Sequence, residues 1–543
     1  MKHRKIKRIV VVALTLLVVV IFCNSQNGKK KLLNHGNIAV PHERRIVWNT
    51  ESQFYDSMVA LWSKKSVQYG PKKGKVDNPR ILLAQLHSKT NVKEINQVIM
   101  GMEPWGVSGS SWTLNKLGDY DFTATVLTSI LWQFGDKPEL LYKETVAHLL
   151  NVLLVEEGYK FRNTAPKTLG LFPETENHIL MTEGSRYLKN RWLALHGNKD
   201  PKYDNINNEM ESKLIEFLQE IKTNGLHEFN SMPYVGYTIT ALLNLEAYAS
   251  EPIRKDARDI LDYMNFCYAI GSYNYKYFPP MRRRYDRANW HKLTTGYHTV
   301  FMKAWMSFLP GTKSNFDISH GEPHALIGAC MPYRPADEIT QLLFKKGNGY
   351  FVKLGHGKKA CPEIYAAGKN YLLSAGGANR GKKSEIVARP ITLFINDDAK
   401  NLEETFHLSG PGTDFMAWNN TGVYRNFACA AGAVSIPKGQ QPVIKSNTWS
   451  IFKGGNNVYM AVFSTHNLGI LAMFENENPE QLLQNLEKAN PSTERLKTHF
   501  QFPGGALINY DVLAPEDTWV IKQVDKTVLD RKYDQWPLIQ GEF

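Results

Sequence analysis

From about Arg45 to Leu309, apolar residues recur at three- and four-residue spacing, and then that rhythm stops. Phe122 to Phe134, Leu140 to Val155, Ile179 to Leu195, Leu214 to Ile221, Thr238 to Tyr248 and Ala257 to Tyr268 each carry an apolar stripe. That spacing predicts amphipathic helices. The intervening stretches, such as Asn163 to Glu176 and Asn224 to Pro233, are rich in Gly, Pro, Asn and Thr. Past Pro310-Gly311-Thr312 the texture changes. From about Ile318, short alternating or β-branched runs dominate: Tyr371 to Ser374, Ile391 to Phe394, Trp449 to Phe452, Val458 to Phe463 and Thr518 to Ile521. Turn signals such as Gly376-Gly377 and Gly454-Gly455-Asn456-Asn457 separate them. The order predicts an α+β multidomain chain. Residues 45–312 would form an N-terminal (α/α) toroid or helical bundle, and 318–543 a C-terminal antiparallel β-sandwich or stacked sheets.

A different segment precedes both. Lys2, Arg4, Lys5, Lys7 and Arg8 form a basic start, and Ile9 to Phe22 follows without a charge. That run is short of the ~20 residues a membrane span needs, and it fits a secretory leader over 1–25. A cut after Ser25, lipid attachment at Cys23 (with a bulky Phe22 before it) and retention as an N-terminal anchor are the open alternatives. Residues 26–44 read as a polar linker, with Lys29-Lys30-Lys31 in a solvated stalk. The chain is expected to be exported, periplasmic or membrane-anchored at the surface. Loss of the leader lowers the formal charge from +13 to +8. With 43% hydrophobic and 22% charged residues, the composition excludes a mainly disordered chain or a multi-span membrane protein. No basic run with interleaved aromatics marks a nucleic-acid partner. Cys267, Cys330, Cys361 and Cys429 form no C-x-x-C pair, which argues against a zinc ribbon. They are either disulfide partners or buried thiols. His320 and His324, with His356 beyond, are only a weak metal signal, and no metal or cofactor is expected.

The potentially catalytic residues cluster at the starts of expected helices. Glu174-Thr175-Glu176-Asn177-His178 opens one helix, with Glu176 or Asn177 near its N-cap. His227-Glu228, then Pro233-Tyr234-Val235-Gly236-Tyr237, precede another. Arg282-Arg283-Arg284-Tyr285-Asp286-Arg287 and Trp290-His291 follow. Asn, His, Tyr and Arg in that order suit β-elimination at a uronic acid. Removing the proton beside a carboxylate builds charge on it. Asn can hydrogen-bond that carboxylate and Arg can neutralise it. Tyr is a poor base unless a nearby cation favours its phenolate, after which it can return a proton to the leaving oxygen. His can act as base, or orient the carboxylate or the Tyr.

Together, the helical half, the strand half and these motifs resemble the exported polysaccharide lyases of the α/α-toroid plus β-sandwich type. Chondroitin AC and hyaluronate lyases, heparinase II/III-like proteins and alginate lyases are members. The resemblance implies cleavage of an acidic, uronate-containing polysaccharide. In the chondroitin and hyaluronate pattern, Asn177, His227, Tyr237 (one residue off the usual spacing) and Arg287 correspond to the catalytic set. In the toroidal alginate lyase pattern, Asn177-His178 works with Tyr234. Arg282, Arg283, Arg284 and Arg287 are all available as the arginine, and the role is assigned to one from Arg283 to Arg287. Trp105, Trp112 and Trp290 are candidates to stack on sugar rings, with Glu176 and His291 as further substrate contacts. Two other readings stay open. A glycoside hydrolase would draw its acids from Glu174, Glu176, Glu183 and Glu228. A non-catalytic glycan-binding protein would keep only the architecture.

Overall fold

The computed structural model describes residues 43–542, apart from 69–73, 112–113, 155–160, 284–289, 313–314, 348, 356–361, 378–385, 411–421, 515–517 and 530–537. The leader with Cys23, most of the linker, Trp112, Arg284, Arg287, His356 and Cys361 lie outside the described residues.

Twelve helices come first among the described residues: α1 (Gln53–Ser63), α2 (Asp77–Ser88), α3 (Val92–Met100), α4 (Asp121–Phe134), α5 (Lys143–His148), α6 (Glu176–Leu195), α7 (Met210–Asn224), α8 (Val235–Tyr248), α9 (Glu251–Gly271), α10 (Tyr297–Met306), α11 (Glu322–Cys330) and α12 (Asp337–Phe344). Their ends follow ordinary capping chemistry. Ser52 accepts from the Tyr55 N–H ahead of α1, and Pro252 sits in the first turn of α9. Gly225 closes α7 at φ 72°, where a side chain would be strained. Helices α4 and α8 are buried on nearly every face, so they lie inside the helical half. Buried polar groups join them: Ser129 Oγ donates to Asn244 Oδ1 at 2.6 Å, and Asn244 Nδ2 to the Thr125 carbonyl at 2.8 Å.

Three differences from the sequence reading have local causes. The expected helix from Leu140 starts only at Lys143 and widens into a π-helical turn at Leu149–Leu153. Helices continue past Ile318, because α11 packs on α1 and α12 on α9. The strand expected at Thr518 to Ile521 instead spans Ile521–Val524, with Trp519 and Val520 buried just ahead of it. One further helix, α13 (Pro479–Ala489), lies among the strands, where the Asn478 side chain caps it.

The strand half is antiparallel throughout its described pairs. A seven-stranded sheet runs, edge to edge, Val434–Ser435, His407–Leu408, Arg389–Ile395, Tyr371–Gly376, Pro362–Ala367, Tyr350–Gly355 and Leu538–Glu542. A six-stranded sheet orders Ile444–Lys445, Ser450–Lys453, Val458–Ser464, Gly469–Glu475, Phe427–Ala430 and Val423–Tyr424. A four-stranded sheet takes His499–Gln501, Leu507–Tyr510, Ile521–Val524 and Thr527–Val528. These three sheets share one apolar core. Alternation along the strands makes the seven-stranded sheet two-sided. Ile364, Leu373 and Leu393 face that strand core, whereas Tyr365, Leu372 and Phe394 join the core of the helices. The sheet is therefore the floor on which the helical half rests.

The end of the expected linker is tied to this body. Arg44 Nη2 reaches both oxygens of buried Asp262 at 2.9 Å, and the Arg45 and Ile46 N–H groups donate to Asp337. Cys267, Cys330 and Cys429 are free thiols. No described helix is long and apolar enough to cross a membrane.

Candidate functional site

Three chain segments converge: the start of α6, the loop leading into α8, and a short strand after α9. At the first, the N-cap is Thr175, one residue earlier than the sequence suggested, and Asn177 is the second residue of the helix. Thr175 Oγ1 donates to Asn177 Oδ1 at 2.5 Å, which fixes the amide. Asn177 is buried, and its Nδ2 has no hydrogen-bond partner among the described residues. A buried amide donor left without an acceptor is costly, so this atom is primed for one.

His178 is buried beside it, with Nδ1 2.6 Å from Asp121 Oδ2. Burial opposes the charged ring, but Asp121, aided by Glu174 and Asp119, wins and pushes the His178 pKa up to about 9. At neutral pH His178 is therefore a fixed cation and not a free base. Glu174, one of the hydrolase candidates, is pinned by the Ser110 N–H (2.8 Å), the Ser110 hydroxyl and the Thr175 N–H (2.9 Å). Glu183 is likewise engaged, accepting from Arg186 at 2.8 and 2.9 Å.

The second segment crosses from helices to strands. Asn230 sits at φ 51°, a conformation that Asn tolerates better than most residues. Its Nδ2 donates to the Pro280 carbonyl (3.1 Å) and to buried Glu363 of the seven-stranded sheet, and its Oδ1 accepts from Tyr277 OH at 3.2 Å. The second oxygen of Glu363 accepts from Tyr365 OH at 2.6 Å. Phe229 packs on Ile386, and Met232 on Met281 and Val387. The loop preceding Tyr234 is thus shaped by both halves.

Tyr234 is the last residue before α8. Arg283 follows the two-residue strand Met281–Arg282, which pairs with Ile386–Val387. Its guanidinium carbon lies 4.0 Å from the Tyr234 ring centroid, and Nη2 donates to the phenol oxygen at 2.7 Å. Nη1 donates to Glu228 Oε1, also at 2.7 Å. Glu176 accepts from the His227 N–H at 2.6 Å, which ties α6 to this loop. Burial, against that hydrogen bond, pushes the Glu176 carboxyl up to about 7. The His227 side chain is exposed at the rim.

Tyr237 occupies a different environment. Its ring lies 4.4 Å from Phe122, 4.9 Å from His324 and 6.3 Å from Tyr297, centroid to centroid. Burial first, then Tyr297, pushes its phenol above the ordinary value, and Arg80 only partly offsets this. Phe122 also contacts His178 at 5.6 Å, so one ring bridges the α6 start and the tyrosine pair. Tyr234 and Tyr237 are 6.4 Å apart.

The structure therefore gathers Asn177, His178, Glu176, Tyr234, Tyr237 and Arg283 around the α6 start and the loop into α8, with His227 on the rim. Trp105 instead meets Tyr120 edge-on at 5.6 Å against the helical core. His291 bonds to Glu403, and its carbonyl accepts from the Leu402 N–H at 3.0 Å, so this segment joins the strand half. Trp290 beside it is half-buried. Sequence reading missed Asp121, Phe122, Asn230 and Glu363, and it weighed His324 only as a weak metal ligand. Among the missed residues only Glu363 carried a local signal, a carboxylate inside an otherwise apolar strand. Among the described residues no three His, Cys, Asp or Glu side chains gather as a metal site requires. Compared with known proteins, the chain matches no family model, no curated protein and no solved structure.

Proposed function

We propose that the protein is an exported polysaccharide lyase that cleaves a uronate-containing glycan by β-elimination, using its own side chains rather than a metal, on an α/α toroid joined to a β-sandwich. The observation that carries this reading is the Arg283–Tyr234 pair. A guanidinium that lies over a phenol ring and donates to its oxygen stabilises negative charge developing there during proton transfer. Asn177 Nδ2, buried at the α6 start, is the donor for the sugar carboxylate once that start opens to the substrate, and the next residue, His178, adds a cation. Tyr234 takes the proton from the carbon beside the carboxylate. The electron pair of that C–H bond forms the ring double bond, and the glycosidic C–O bond breaks. The leaving oxygen takes the proton from Tyr234, which returns to its starting form. The test is absorbance of the new unsaturated uronate near the ultraviolet edge, across a panel of acidic polysaccharides. Folded protein that gives no signal on any of them, or a signal that Tyr234→Phe leaves intact, sinks the reading.

One observation favours a glycoside hydrolase instead. Glu176, protonated up to about pH 7, lies near Glu228, which is paired with Arg283. A carboxyl with a raised pKa beside a second carboxylate is the kind of pair that hydrolysis uses. New reducing ends without unsaturation, lost in Glu176→Gln, would favour that reading over the lyase.

A further inference from the structure

Large apolar side chains stand in solvent on two loops just ahead of the candidate site. Leu114 and Leu117 are on the first, and Leu169, Leu171 and Phe172 on the second. Leu169 is 94% exposed, Leu171 63% and Leu114 60%. The loops are joined at their bases. The Ser110 N–H donates to Glu174, Arg162 Nη2 donates to the Ser108 carbonyl at 3.1 Å, and Gly109 lies against Pro166 so closely that a Cβ would meet it at 2.7 Å.

The second loop is built to hold its tip outward. Its arms pair through the Thr164–Pro173 bridge and the Ala165 N–H to the Phe172 carbonyl (2.9 Å). Lys167, Leu169 and Gly170 take φ values of 62°, 56° and 74°. Leucine in that region is strained. Thr168 between them is buried and donates to the Ala165 carbonyl at 2.6 Å, anchoring the turn. Strain and an exposed apolar tip together call for a partner.

The chemistry of the tips selects among partners. Leu114, Leu117, Leu169 and Leu171 offer a sugar ring neither hydrogen bonds nor a flat aromatic face, and Phe172 is the least exposed of the five. Five side chains also fall well short of the roughly 20–30 residues per side of a stable protein interface. The only charged residues between Glu103 and Asp119, and between Asn163 and Glu174, are Lys116 and Lys167, both exposed. Leucine and phenylalanine flanked by lysine, without an acid, is the composition that enters the boundary of an anionic bilayer.

We propose that these two loops seat on the headgroup layer of an anionic lipid membrane. Leu169, Leu171 and Leu114 enter the acyl boundary, and Lys116 and Lys167 lie among the phosphates. The contact is separate from any attachment through Ile9 to Phe22, and two weak attachments together hold where one alone exchanges. It does not depend on the polysaccharide reading.

The test places an environment-sensitive fluorophore on Leu169→Cys in the full chain. Val528→Cys, on an exposed strand of the four-stranded sheet, carries the same label as a control, and signal from native thiols is subtracted using the unsubstituted chain. Vesicles are equal parts phosphatidylglycerol and phosphatidylcholine. The expected result is a blue shift at 169, quenched by nitroxide-labelled lipid, with neither at 528. The shift weakens on phosphatidylcholine alone and at high salt. Adding Leu171→Ser and Lys167→Glu to the labelled chain lowers the inserted fraction at least about tenfold. Emission at 169 that stays aqueous while the chain co-sediments with vesicles overturns the proposal. So does a label already shielded before vesicles are added, with a dimer seen in sedimentation, because the partner is then a second copy. Neither result involves a glycan, so neither bears on the lyase reading.

Discussion

Arg283 and Tyr234, 49 residues apart in sequence, meet with the guanidinium carbon 4.0 Å from the ring centroid and through a 2.7 Å hydrogen bond from Nη2 to the phenol oxygen. If this pair drives proton abstraction, removing the phenol removes the chemistry. Tyr234→Phe should lower kcat by at least about a thousandfold while binding of the glycan, measured by calorimetry, stays within about threefold. Arg283→Met should cost about a hundredfold in kcat, since the guanidinium that donates to the phenol oxygen is gone. An unchanged kcat would mean that Arg283 only supports Glu228.

The His178–Asp121 pair predicts a pH-dependent stability. Its folded pKa, about 9, is above the ordinary 6.5. The folded state therefore binds more protons than the unfolded state between those values. The stabilisation is complete below about pH 6.5 and is lost as pH rises through about 9. Thermal midpoints should fall over this window in the unaltered chain, and that fall should be absent in Asp121→Asn. A curve of the same shape in the variant would place the titration elsewhere.

Glu176 works in the same direction at lower pH. Its carboxyl is raised from 4.5 to about 7, so its neutral form is favoured in the folded chain, and stability falls as pH rises from about 4.5 to 7. Glu176→Gln, which cannot ionise, should flatten that part of the curve. Under the lyase reading it also leaves measurable elimination activity, read from unsaturated product.

Asn230 couples the halves, so its loss should be felt globally. Asn230→Ala leaves buried Glu363 short of a donor and should lower unfolding stability by about 1–3 kcal/mol, measured by urea denaturation. In a double-mutant cycle with Glu363→Gln the two changes should be clearly non-additive. Additive losses would mean that the contact contributes nothing specific.

Gly236 tests the packing behind the tyrosines. A Cβ there would come within 2.6 Å of the His324 ring, which is buried against Tyr237 and Tyr297. Gly236→Ala should destabilise the chain by about 1–3 kcal/mol and disturb both tyrosines. His324→Ala should relieve the clash in the double variant, visible as a partial recovery of the thermal midpoint.

How legible this was in the sequence depended on how local the signal was. Helices α6 and α8 were plain because apolar residues repeat over 20 and 14 positions. Helices α11 and α12, of nine and eight residues, are too short to show a clear period, and α11 is also rich in small residues, so their segment read as strands. Asn177, His178, Tyr234 and Arg283 were readable as candidates, but their division of labour was not. His178 becomes a cation only because Asp121, 57 positions away, lies against it. Tyr234 and Tyr237 differ by three residues, yet one lies ahead of the helix beside Arg283 and the other inside it among aromatic rings. Of the two described arginines there, Arg282 and Arg283, Arg283 reaches Tyr234 from the end of a strand that pairs with Ile386–Val387, about a hundred residues downstream. Pairings at that separation leave no periodic trace.

That two-residue strand also bears on how such a chain can be inherited. A crossover at the join near Phe344 would look tidy, because it separates helices from sheets. It would nevertheless give the recipient a loop whose Phe229, Asn230 and Met232 had lost Ile386, Glu363 and Val387, and an arginine with no strand to hold it. Recombination at that join would yield two halves that each retain their elements and a site that belongs to neither. The two halves therefore have to change together.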